Sequence, residues 1–366
     1  MSGTRRLAQT LVLVPAAFLA AGVLADPGAR WTETSLASPT DSESTAQLDT
    51  GSESSLRQRI REMVDVMSGH TYGGRFMHVR GDEIELMRVV HREIEGQRAE
   101  LLVAENGEVR EIRRLGDRCA CIWPEREQVM LGDYPNITSR LAGERFESIE
   151  SIDDTYRMVS LGRSRVAGES CDMMAIVPTD EYRYGYKLCI GQEVPLLLRM
   201  SMYDERGQPI EHNQFTQIES LDRVELFFQD DLVADIDSDF EVIELGGEPV
   251  ENAPIREENW VIDPLPSGYS IKSRNWRRNP VTGQYFEHLV VTDGLATASV
   301  FVEEGRGEAS RDASRTRQGM KIAARAVDDT RVTAIGDVPS ATVEALVANT
   351  VREPGQADEA DSESGN

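Results

Sequence analysis

Four cysteines, five histidines and one dense basic run are the side chains whose types and spacing could do chemistry in this 366-residue chain. Cys119, Cys121, Cys171 and Cys189 form an even set, which in an exported protein reads first as disulfides. Cys171 and Cys189 flank Pro178-Thr179-Asp180-Glu181-Tyr182, and a hairpin turning at Asp180 brings the two sulfurs opposite each other on neighbouring strands. Cys119 and Cys121, at i and i+2, face one side of a strand, where a mutual bridge is strained. A four-thiolate metal site or a redox couple is the lesser alternative, because no C-x-x-C spacing occurs. His70, His78, His91, His212 and His288 include no i, i+4 pair and no H-E-x-x-H, so zinc hydrolysis has no ligand set. His91 reads as a hydrogen-bonded imidazole at a strand end, since no G-x-S-x-G nucleophile is there to need a base. No Walker loop or dinucleotide fingerprint is present either. These spacings predict no catalytic constellation, no metal and no cofactor.

The basic run is Lys272, Arg274, Arg277 and Arg278 around Trp276. It stands out because the chain carries 64 acidic against 39 basic residues, a net charge of −25. Such a charge excludes a surface that wraps nucleic acid, which needs clustered cations overall. The run itself suits phosphates of an anionic lipid head group or an acidic protein segment, with a solvated loop between two strands as the equal alternative.

The elements that must position these groups are mostly strands. Leu56, Ile60, Val64 and Met67 recur at helical spacing among charged residues and predict one amphipathic helix ending before Gly69. From Phe76 to about residue 220, short apolar runs alternate with turn signals such as Asn106-Gly107, which suits a tight hairpin. About ten strands fit there at the usual 8 to 12 residue spacing. Tyr269–Ser273, Phe286–Thr292 and Thr297–Glu303 read as further strands, the last two joined at Asp293-Gly294. Pro339-Ser340 starts a second helix with Ser340 as N-cap and Val343, Leu346 and Val347 on its apolar face. Gly305 to Gln318 lacks an apolar anchor and reads as an exposed mobile loop.

The organisation that follows has six parts. Arg5 and Arg6 precede an apolar run from Leu11 to Leu24 that is too short, at about 14 residues, to cross a bilayer, so residues 1–25 read as a cleaved signal peptide. Residues 26–54 and 353–366 are too polar to offset the entropy of ordering them and read as a disordered leader and a disordered acidic tail. Between them lie a large domain over 55–245, a Gly/Pro-rich linker over 246–256 and a small domain over 257–352. Charge supports the division: residues 256–352 hold 13 basic and 13 acidic side chains, while the acidic excess lies mostly upstream, with the rest in the tail.

Several strings in this order resemble the MucB/RseB family. In the large domain they are Met87-Arg88-Val89-Val90-His91-Arg92, Gly107-Glu108-Val109-Arg110-Glu111-Ile112, Arg165-Val166-Ala167-Gly168, and Pro178 with Tyr182-Arg183-Tyr184-Gly185-Tyr186-Lys187-Leu188. In the small domain they are Leu265-Pro266-Ser267-Gly268-Tyr269, Glu287-His288, Thr292-Asp293-Gly294-Leu295, Ser299-Val300-Phe301-Val302 and Gly336-Asp337-Val338-Pro339. The resemblance implies an α+β protein: a large LolA-like half-open antiparallel β-barrel plugged by helices, and a small α+β domain that helps hold a partner. It also implies a periplasmic, non-enzymatic regulator of the envelope-stress sigma factor. Such a regulator binds the periplasmic part of a membrane-bound anti-sigma factor, shields it from proteolysis, and releases it on sensing lipid or lipopolysaccharide. The family's ligand contacts do not transfer residue by residue, so Phe76, Val90 and Leu102 are candidates for the cavity, with ordinary core packing the favoured role of any one of them, and Lys272, Arg274, Arg277 and Arg278 are candidates for contact to an anionic ligand or the partner. A lipid or lipoprotein carrier of LolA type is the rival reading, and homo-oligomerisation stays open.

Overall fold

The computed structural model describes residues 53–133, 145–146, 148–149, 152, 154–219, 231–245, 260–278, 283–304, 313–317 and 320–352. The expected signal peptide, most of the leader, the linker and the acidic tail lie outside these residues. The described chain opens with helix α1 (Glu53–Gly69) and continues as β1 (Tyr72–Arg80), β2 (Glu83–Ile94), β3 (Gln97–Ala104), β4 (Glu111–Leu115), β5 (Arg118–Trp123) and β6 (Gln128–Asp133). Next come β7 (Tyr156–Val166), β8 (Glu169–Pro178), β9 (Gly185–Gly191), β10 (Leu197–Tyr203), β11 (Pro209–Ile218) and β12 (Glu241–Leu245). These twelve strands form one sheet in the order β12-β6-β5-β4-β3-β2-β1-β11-β10-β9-β8-β7. Among the described residues it is not closed, and β12 and β7 are its edges. Pairing is antiparallel except at β12, which runs parallel to β6. The fold is the α+β, half-open LolA-like arrangement that the resemblance implies.

Helix α1 forms because Ile60, Met63 and Met67, with Val66, make one apolar stripe, while Glu53–Arg57 and Arg59–Glu62 ion pairs support the wet side. The stripe packs on one sheet face with Phe76, Met87, Val89, Leu102, Tyr186 and Phe215. Each such side chain, fully buried, contributes about 1.5–3 kcal/mol. Leu56 and Val64, expected on that stripe, are only partly buried, so the helix is rolled slightly toward Met63 and Val66. Gly74 lets β1 approach β11, since a Cβ there would lie 2.2 Å from the Gln217 carbonyl oxygen. On the opposite face, Leu232, Val233, Ile236 and Phe240 cover Val90, Leu101, Ala120, Ile122 and Val129. Arg113 ties this covering segment down through the Leu232 carbonyl and the Asp235 carboxylate.

The second body contains β13 (Trp260–Ile262), β14 (Ser270–Arg278), β15 (Tyr285–Thr292), β16 (Thr297–Glu304), β17 (Ala313–Arg317), β18 (Met320–Val327), β19 (Thr330–Gly336), helix α2 (Ser340–Ala348) and β20 (Thr350–Arg352). Six strands pair in the order β14-β15-β16-β19-β18-β17, and β13 pairs with β20. Val343, Leu346 and Val347 of α2 pack with Trp260, Leu289, Val300 and Val332.

Four local expectations need correction. Ser340 is the first helical residue, so Pro339 is the N-cap and no side chain caps the helix. Part of the expected Gly305–Gln318 loop is strand β17, because pairing along a sheet edge uses backbone groups and needs no apolar anchor. Asn106-Gly107 lies within a longer connection between β3 and β4. Asn106 there accepts from the Leu86 N–H at 2.5 Å and donates to the Ile84 carbonyl at 2.9 Å, extending the β2 edge instead of closing a two-residue turn. The basic run is strand β14 itself and not a loop between strands.

Candidate functional site

The two bodies meet at a seam made of buried charge. Arg183, in the loop between β8 and β9, is 0% exposed. Its guanidinium donates to the Asp180 carboxylate and to the Ser267 carbonyl of the small body. Its Nε lies 3.1 Å from Asp293 Oδ2 as an ion pair, off the hydrogen-bond direction. The guanidinium carbon also sits 5.7 Å from the Tyr156 ring centre and 4.9 Å from that of Tyr269, cation–π range for both. Asp293 is matched on every side: Tyr156 donates to it at 2.9 Å, and the Leu295 and Ala296 N–H groups donate at 2.9 and 2.7 Å. Burial, then Asp293, pushes the phenols of Tyr156 and Tyr269 well above their ordinary range, so both remain neutral donors. Tyr269 and Thr342 both donate to the Tyr182 carbonyl, at 2.9 and 2.7 Å.

A second clasp lies beside the first. Arg80, at the end of β1, reaches Asp337 at 2.6 Å and Glu211 of β11 at 2.8 Å, and Arg145 stands 3.7 Å from Asp337. Burial works against the Arg80 charge, and the hydrogen bond to Asp337 together with the charges of Asp337 and Glu211 outweighs it, leaving the guanidinium pKa raised. Apolar side chains are exchanged too. Leu295 of the small body joins the α1 core, and Tyr182 of the large body packs against the α2 core. An arrangement of this kind holds two bodies in one orientation through groups that cannot be separated cheaply.

The expected cavity residues do not share one wall. Phe76 and Leu102, 1% and 0% exposed, are packed on the α1 side, whereas Val90, also 1%, faces the segment around Leu232. The correction follows from strand parity: Phe76 pairs with Met87 and Leu102 with Val89, so Val90 must point to the other face. A cleft of about 520 Å³ among the described residues lies on β8–β11 beside the end of β1 and is lined by none of the three.

Of the basic run, Arg274 pairs with Glu287 at 3.1 Å and donates to the Trp260 carbonyl at 2.5 Å, and Arg278 donates to the Gly283 carbonyl. Lys272 is exposed where the pairing of β14 with β15 shifts by a residue. Arg277 is half-buried. The four are therefore spread along an edge strand and do not converge on one point.

Cys171 and Cys189 are joined in a disulfide, with Cα atoms 5.5 Å apart. They sit diagonally across the β8–β9 pair, since Cys171 faces Gly191 and Cys189 faces Met173. Cys119 and Cys121 are buried and are not bridged to each other. Residues i and i+2 of an extended strand lie about 6.6 Å apart along its axis, which holds their Cβ atoms beyond the 3.5–4.5 Å a bridge requires. Burial pushes the Cys121 thiol up to about 11, so it is not a nucleophile at neutral pH. His91 Nδ1–H donates to the His70 carbonyl at 3.0 Å, and its ring stacks on Tyr72 with centroids 4.7 Å apart, a structural role.

Part of the seam comes from strings already singled out in the sequence, Tyr182-Arg183, Ser267-Gly268-Tyr269, Asp293-Gly294-Leu295 and Asp337, whereas Arg80, Arg145, Tyr156, Asp180, Glu211 and Thr342 stand outside them. Sequence models of the MucB/RseB N-terminal and C-terminal domains match residues 55–234 and 254–351. The chain belongs to the MucB/RseB family. Relatives include the sigma factor AlgU regulatory protein MucB of Pseudomonas aeruginosa, 27% identical over 78% of this chain and 87% of that protein. The sigma-E factor regulatory protein RseB of Escherichia coli is 26% identical over 75% of this chain and 83% of its own. The crystal structure of MucB in complex with MucA(peri) superposes with a TM-score of 0.60 at 25% identity, covering 82% of this chain and 99% of that one. Family members of this kind are named as regulatory proteins.

Proposed function

We propose that this chain is a non-enzymatic, exported regulator that binds the periplasmic part of a membrane-bound anti-sigma factor. In this reading it shields that segment from proteolysis and releases it on sensing lipid or lipopolysaccharide. The observation that carries the proposal is the match of both halves of the chain to the MucB/RseB domains, together with likeness to a MucB solved in complex with MucA(peri). The geometry suits the role. Two bodies pinned by buried ion pairs have few alternative arrangements, and a ligand that prefers one of them shifts partner affinity by its differential binding alone.

The test uses the mature chain and the exported segment of an anti-sigma factor from the same organism. Titration calorimetry should show a one-to-one complex, and a protease that cuts the free segment should spare it when the regulator is present. Added lipopolysaccharide should restore cutting. A segment that fails to bind would sink the proposal, and one that binds but is cut at the free rate would remove its protective half.

A further inference from the structure

Strand β14 is an edge of the six-stranded sheet and carries a basic row along its length. Strand alternation puts Arg274, Trp276 and Arg278 on the face that α2 covers, because Arg274 pairs with Leu289 of that core. Four residues separate Arg274 from Arg278, about 13 Å along an extended strand. Lys272 is exposed at the register shift before them. Arg274 is matched by Glu287 at 3.1 Å, whereas Arg278 is exposed and donates only to the Gly283 carbonyl, which leaves its charge in place. A row drawn out along a strand suits an extended acidic segment and not one compact anion.

The chain supplies such a segment itself. Strand β20 ends at Arg352, which lies opposite Trp260 of β13, and the Arg352 guanidinium carbon is 5.3 Å from the Trp260 ring centre. The Trp260 carbonyl in turn accepts from Arg274 at 2.5 Å. The chain therefore leaves its last described residue beside the middle of β14. Residues 353–366 carry Glu353, Asp358, Glu359, Asp361 and Glu363 and no Lys or Arg. At about 3.5 Å per residue, the chain from Arg352 to Asp358 spans up to about 20 Å, more than the length from Arg274 to Arg278. A single exposed ion pair is weak, but so short a tether holds the acids at about millimolar effective concentration, and several weak pairs then act together.

We propose that the acidic tail, residues 353–366, docks along β14 of its own chain, its carboxylates against Lys272, Arg274 and Arg278, and so competes with any external acidic segment for that strand. The inference does not rest on the partner-binding proposal, because both surfaces belong to one chain and the test needs no partner. Carbodiimide coupling of the full mature chain, read by peptide mass spectrometry, joins carboxylates to nearby lysines. The chain has three lysines, Lys187, Lys272 and Lys321. Lys187 is 5% exposed, and Lys321 sits on β18, four strands from β14 in the same sheet, where it reports a tail with no fixed place. Within one chain, tail acids should couple to Lys272 at least about fivefold more than to Lys321. Arg278→Gln should lower the yield at Lys272 by about two- to fivefold, the effect of one exposed charge, and about 0.5 M salt should lower it further. Lys272, the reporter, is intact in both arms. Arg278→Lys keeps the charge and adds an amine, so position 278 should itself couple to the tail, and this variant decides the matter if the glutamine form loses its circular dichroism. Equal coupling at Lys272 and Lys321, coupling only between two chains, an unchanged yield in folded Arg278→Gln, or no coupling at position 278 in Arg278→Lys would overturn the proposal.

Discussion

Single side chains in this protein differ mainly in whether their charge is matched where it is buried. Glu219, following β11, accepts two hydrogen bonds from Arg88 at 3.1 and 3.0 Å, and these hold its carboxyl below the ordinary value. A lowered folded-state pKa means that the pair contributes fully above the unfolded carboxyl range, about 4.3, and that the contribution is lost as pH falls through the folded value. Glu219→Gln should therefore cost about 1 kcal/mol at pH 7 and progressively less as pH falls below the unfolded carboxyl range. Urea melts of the two proteins at neutral and at acid pH measure this, and a difference that persists undiminished in acid would assign the effect to packing.

Among the elements, β14 carries the clearest design against unwanted pairing. It is the edge of the six-stranded sheet and shows Ile271, 38% exposed, to solvent. Lys272 sits at the register shift between Ile271 and Ser273, so a charge and a bulge interrupt the edge together. Lys272→Val should leave thermal stability nearly unchanged and increase concentration-dependent association in light scattering. Scattering equal to that of the parent would show that the remaining arginines protect the edge unaided. Helix α1 is the opposite case, an element defined by what it covers: Met63→Ala should cost about 2–5 kcal/mol in denaturant unfolding, since Met63 is fully buried and its neighbours come from the sheet.

At the scale of the molecule, the seam decides whether the two bodies act as one. Removing Arg183 would leave Asp293 buried with its charge unmatched, which typically costs about 3–5 kcal/mol. In calorimetry, Arg183→Ala should split one unfolding transition into two, the small body melting first because it has the smaller core. A single transition at the parent temperature would mean that the Arg80–Asp337 clasp alone couples them.

The sequence by itself determined what depends on short range. Apolar spacing marks α1 and most strands, the positive-φ glycines mark turns, and the ordered strings mark the α+β class and its family. What only the tertiary structure decided depends on register and on distant partners. Val90 belongs to the far face because its neighbour Val89 is paired with Leu102, a fact of alignment between strands that composition does not contain. The seam joins Arg183 to Asp293 across a connection whose length says nothing about contact. Spacing along a chain specifies which way a side chain points from its own element, and only the packing of elements specifies what it meets there.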